Sequence, residues 1–113
     1  MRLNGFQSGL VDWEGLTPWM DEGEQGYMLS RTAEAGDVRI RKVDCSPDFR
    51  SSHWCEHGHV ILVLDGELDL EFQFESQQSQ THRLVAGMSF HIPEGERPHR
   101  VHSKEGAVLF ILD

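Results

Sequence analysis

Cysteine is scarce in this chain of 113 residues: Cys45 and Cys55 are the only two. Two thiols cannot build a disulfide framework, so the expected setting is a reducing cytoplasm, with the thiols free or bound to metal. Long apolar runs are missing as well. No stretch approaches the ~20 consecutive apolar residues of a membrane span, and Met1-Arg2-Leu3-Asn4-Gly5-Phe6 lacks the apolar core of a signal peptide. Basic charge is in deficit: 10 Lys and Arg stand against 19 Asp and Glu, for a net charge of −9. Such a surface repels phosphate backbones and anionic lipids, which argues against nucleic-acid and membrane partners. Sustained helical periodicity is absent. A hydrophobic content of 38% allows one packed interior, which suits a single domain of this size.

What is there reads as short strands. Residues 1–26 form an irregular arm, with Phe6, Leu10, Val11, Trp13, Leu16, Trp19 and Met20 interrupted by Gly5, Gly9, Gly15 and Pro18. One short strand is expected at 10–13. The arm's large aromatics must pack over the domain's own sheet or on a second subunit, and the first is the simpler reading. Strands are expected at 27–32 and 38–43, with a break at Ser46-Pro47-Asp48. Residues 60–64 read as a buried strand, and Asp65-Gly66 reads as a two-residue hairpin turn. After it, Leu68, Leu70, Phe72 and Phe74 fall on one face. Glu67, Asp69, Glu71, Gln73 and Glu75 fall on the other, which is expected to face water. A polar loop at 76–80 follows, then strands at 81–85, 88–92, 98–102 and 107–112. Many short strands at this spacing point to an all-β fold, a small jelly-roll β-barrel over residues 27–113.

The chemistry concentrates in His53-Trp54-Cys55-Glu56-His57-Gly58-His59. On a regular strand the odd-numbered residues share one face. Turned inward, His53, Cys55, His57 and His59 would line the mouth of a cavity; turned outward, they would be polar surface. Trp54 would then lie on the opposite face, against the other sheet or a partner chain.

These residues resemble the cupin superfamily. Its first motif places a His-x-His pair, three or four residues, Glu, six residues and Gly. The counterpart here is His53-x-Cys55, three residues, His59, six residues and Gly66. The second motif places Gly, five residues, Pro-x-Gly, two residues and His. Here it is Gly87, five residues, Pro93-x-Gly95, three residues and His99. The match spans residues 36–113. Cys55 stands at the second His position, His59 at the Glu position, and one extra residue precedes His99. His53-Trp54-Cys55, Gly58-His59-Val60 and Pro98-His99-Arg100 resemble the narrower DHCW-motif cupins, with Ser52 where that group has Asp. The resemblance implies that His53, Cys55, His59 and His99 converge on a metal inside a barrel. His99 rests on the resemblance alone. Imidazole and thiolate donors without a carboxylate favour zinc, iron, nickel or copper over manganese or magnesium.

The other candidates have plainer readings. His57, beside Gly58, is taken as a neighbour of the site or an exposed group. His91 and His102 are taken as surface or lining, His82 as solvated and Cys45 as a structural thiol. Arg39 and Arg41 share a face. Inward they would grip an anion; the expectation kept is the outward one, as charge balance. Functionally, the reading is a small metal-binding cupin with a small-molecule ligand. A metal-dependent oxygenase or isomerase and a metal-free binding or assembly protein are the alternatives. Unplaced tryptophans in the arm give a reason to expect a homodimer.

Overall fold

The computed structural model describes residues 5–74 and 79–113. Glu75 and loop residues 76–78 lie outside the described residues. Among the described residues, nine strands follow one 3-10 turn, Trp13–Gly15. They are β1 (Trp19–Glu22), β2 (Tyr27–Ala35), β3 (Val38–Cys45), β4 (Phe49–Arg50), β5 (His59–Gln73), β6 (Ser79–Val85), β7 (Ser89–Ile92), β8 (His99–Ser103) and β9 (Ala107–Leu112). All strand pairings are antiparallel. The strand order is β1-β2-β3-β9-β5-β8-β4, and β6 and β7 also pair with β5. No helix among the described residues is long and apolar enough to cross a membrane.

The 15-residue β5 explains the shape. Its first half pairs with β7 and β9, and its second half pairs with β6 and β8. One strand thus serves two sheets, which curl around a common interior. The expected hairpin at Asp65-Gly66 does not form. The register shifts between Val63 and Asp65, and Gly66 takes φ +78°. A Cβ on Gly66 would lie 2.1 Å from the Gly106 carbonyl oxygen. Glycine therefore serves a corner where the strand changes sheets, as a bulge does. The local turn signal loses because the two flanking runs find better partners than each other. Residues 60–63 match 109–112, and 68–72 match 80–84.

Alternation then fills the core. Val63, Leu68, Leu70 and Phe72 from β5, Val43 from β3 and Leu109 from β9 are all buried. The acidic face of β5 is not simply wet, as alternation suggested. Glu67 pairs with Arg83, and Glu71 accepts from Arg100 Nε at 2.8 Å.

The arm departs from its expected form. Residues 10–13 make no strand; the first strand is β1, paired with β2 along Trp19–Glu22. All four of its residues are exposed, so no alternation marks it in the sequence. Trp13 stands edge-on to Phe110, with ring centroids 6.4 Å apart, and Arg31 Nε donates to the Leu16 carbonyl at 3.2 Å. These contacts lay part of the arm on the outer face of the β3–β9–β5 sheet.

Candidate metal centre

Residues 51–58 carry no regular strand, and β5 begins at His59. Strand alternation therefore does not govern the His-rich stretch. An isolated bridge replaces it: Cys55 N–H donates to the His99 carbonyl at 2.7 Å, and His99 N–H donates back to the Cys55 carbonyl at 2.9 Å. Directly opposed residues of an antiparallel bridge project to one side. That sets Cys55 beside His99, and the start of β5 brings in His59. One ligand atom from each of Cys55, His59 and His99 lies within 4.8 Å of the others. Cys55 Sγ is 3.3 Å from His59 Nε2, and the two imidazoles meet edge to face at 5.3 Å.

The other residues of the stretch go elsewhere. His57 points away, its Nδ1 2.9 Å from Glu94 Oε1, while Gly58 N–H donates to Glu94 Oε2 at 2.6 Å. The Gly58 N–H bond, and after it the His57 contact, hold the exposed Glu94 carboxyl below its usual range. Gly58 is needed for the turn between Cys55 and His59, since a Cβ there would lie 2.7 Å from Glu94 N. His53 is exposed, outside the three-donor group, and touches Ser52 Oγ at 3.2 Å. Trp54 does not face away from Cys55 and His53; all three border one cavity, and the Arg100 guanidinium lies 4.4 Å above the Trp54 ring. His91 is exposed and His102 half-buried. His82 is half-buried, its ring packed on Phe72 and Phe90 at 5.8 and 5.0 Å, and so not fully solvated as expected. Cys45 is buried, and loss of solvation pushes its thiol up to about 12, so it is inert.

Hydrogen bonding sets the tautomer of His99. His99 Nδ1 donates to the Arg97 carbonyl at 3.2 Å, which leaves Nε2 with the lone pair. That Nε2 is buried and has no hydrogen-bond partner among the described residues. An orphaned buried acceptor costs roughly 1–3 kcal/mol, and ligation of a cation would relieve it. His59 presents Nε2 to Cys55, while its Nδ1, 3.6 Å from Asp113 Oδ2, is also buried without a hydrogen-bond partner among the described residues. Burial lowers both imidazoles: His59 falls to about 4, and His99 moves the same way. Neutral imidazole is the form that ligates, so the donor set fits a soft divalent cation. A backbone carbonyl that accepts from the ring N–H, as behind His99, is a usual support of such ligands.

Asp113 is the residue that reading the sequence missed, and Arg41 is one it placed outward. Burial works to raise the Asp113 carboxyl, but the hydrogen bond from Arg39 and the charges of Arg41 and Arg39 hold it below its ordinary value. Arg39 Nη2 reaches Asp113 Oδ2 at 2.8 Å, and Arg41 Nε and Nη2 reach its two oxygens at 3.3 Å. Both arginines border the cavity, so the outward reading is corrected. The signal was present: Val43 and Cys45 are buried, and period two on β3 carries Arg41 and Arg39 to the same face.

The donors open on a cavity of ≈ 630 Å³, bordered by Val43, Ile61, Leu109 and Ile111 among others. No protein-family model and no curated protein sequence matches the chain. Solved structures do. A conserved protein of unknown function from Streptococcus pyogenes, SPY1581, is 21% identical, with TM-score 0.62, over 75% of this chain and 71% of that one. The S161A mutant of Bacillus subtilis oxalate decarboxylase OxdC is 18% identical, with TM-score 0.70, over 96% of this chain and 30% of that one. Lactobacillus farciminis oxalate decarboxylase, in a formate complex, is 16% identical, with TM-score 0.70, over 96% and 33%. The chain thus spans about a third of the oxalate decarboxylases it resembles. The fold is the cupin fold, a curled all-β half-barrel.

Proposed function

We propose that this chain is a metal-binding cupin in which Cys55, His59 and His99 hold a divalent transition metal at the edge of a cavity that takes a small molecule. The convergence of three donor atoms within 4.8 Å carries the reading. Zinc, iron, nickel and copper suit one thiolate and two imidazoles. Three protein donors leave the coordination shell open, and a metal held so supplies a Lewis acid to whatever enters. That open position is also what a catalytic reading, of oxygenase or isomerase type, requires. The site needs Cys55 reduced, which accords with a cytoplasmic setting. His53, on the rim, is not needed as a ligand.

Elemental analysis of purified protein tests this directly. One equivalent of metal per chain is expected in the wild type and in His53→Ala. His99→Ala and Cys55→Ser should lose most of it. Metal kept in full by His99→Ala would remove the proposed centre. A wild type without metal after growth in supplemented medium would leave a metal-free binding or assembly protein.

A further inference from the structure

The inward rows of the β3–β9–β5 sheet are graded from charged to apolar. In one row Arg39 and Asp113 exchange backbone hydrogen bonds, with His59 beside Asp113. Next inward, Arg41 stands opposite Ile111 and Ile111 opposite Ile61. Then come Val43, Leu109 and Val63. A chain of net charge −9 with only 10 Lys and Arg thus sets two of its arginines at the metal end of an apolar cavity. Their partner is one carboxylate, so two guanidinium charges meet one negative charge. Arg41 is the better buried, its side chain 16% exposed. Its Nε and Nη2 are taken by Asp113, and its Nη1 makes no hydrogen bond among the described residues. The other acids bordering the cavity, Asp21, Glu22 and Glu56, are exposed at its mouth, where water screens them.

A half-buried guanidinium with a free donor, beside a surplus positive charge and above an apolar floor, defines an amphipathic ligand. We infer that the cavity binds a small monocarboxylate with an apolar body. The carboxylate meets Arg41 at the end that carries Cys55, His59 and His99. The tail lies along Ile61, Val43 and Leu109. A volume of ≈ 630 Å³ suits such a molecule. The inference rests on the metal-binding reading for what else the head meets, but the pairing with Arg41 does not need the metal.

Zinc-loaded protein is titrated by calorimetry with hexanoate and benzoate, and in parallel with hexanamide and benzamide. Zinc content is measured on every sample. The acids should bind and the amides should not. Arg41→Gln should weaken acid binding by about tenfold or more, and Arg41→Lys, which keeps charge against Asp113, should weaken it less. Should Arg41→Gln not fold, the comparison of acids with amides in the wild type decides alone. Acids no better than amides, or acid binding undiminished in a folded Arg41→Gln, overturns the inference. Zinc bound without acid binding sinks this inference and spares the metal centre. Acid binding without zinc does the reverse.

Discussion

At the scale of residues, His59 is an imidazole whose hold on its proton is set by burial. Its side chain is 10% exposed, and burial puts its folded value at about 4 against an ordinary 6.5. The unfolded chain therefore binds the proton more readily between those values. The neutral imidazole's contribution to stability is fully present above about pH 6.5 and is lost as pH falls toward 4. After allowance for solvent screening, about 1–2 kcal/mol is expected to disappear across that window in metal-free protein. Urea unfolding of apo wild type and His59→Gln at pH 7 and pH 4.5 checks this. The variant should lack that part of the pH slope, and equal slopes would contradict it. The sequence named four donors, of which Cys55, His59 and His99 converge and His53 does not, and the reason it offered was partly wrong. A strand at 53–59 would have turned His57 inward too. Instead Gly58 and Glu94 turn His57 out, and a bridge to residue 99 aims Cys55. A pairing between segments so far apart leaves no mark on local periodicity, so only the motif spacing could suggest His99.

At the scale of elements, β5 decides the fold, and Gly66 decides β5. Its φ of +78° and the Gly106 carbonyl in the place of a Cβ leave no room for a side chain. Gly66→Ala is expected to cost roughly 2–4 kcal/mol, since backbone strain and a steric clash act together. A fall in melting temperature of about 10 °C or more should follow, and an unchanged transition would mean that the corner tolerates a different backbone. Seven strands stood close to where alternation put them, because 27–45, 60–74 and 81–112 carry clear apolar faces. The failures were of two physical kinds. β1 is exposed on both faces and the two-residue β4 is too short, so neither carries a pattern. The Asp65-Gly66 dipeptide has hairpin chemistry, but its φ is used for a bend because strands from elsewhere cover both flanks.

At the scale of the molecule, the outer face of the β3–β9–β5 sheet is apolar without being covered. Ile40, Leu62, Phe110 and Leu112 are half-buried there, and Val60 and Leu64 are 43% and 46% exposed. Trp13 stands edge-on to Phe110 on this face. Lys42 and Asp44 also stand on this face, so it carries no net charge, and two copies that each carry −9 meet with least repulsion on a mainly apolar patch of this kind. A homodimer through this face is the proposal. Light scattering should give about twice the 12.9 kDa of one chain, and Val60→Lys should lower that mass. A wild-type mass of one chain would contradict it.

The shared strand has a consequence for the proposed metal. His59 opens the half of β5 that pairs with β7 and β9, whereas His99 opens β8, which pairs with the other half. The donors are drawn from opposite walls of the cup. An ion seated between them acts as a rivet, so filling the site and closing the two walls on each other become one equilibrium.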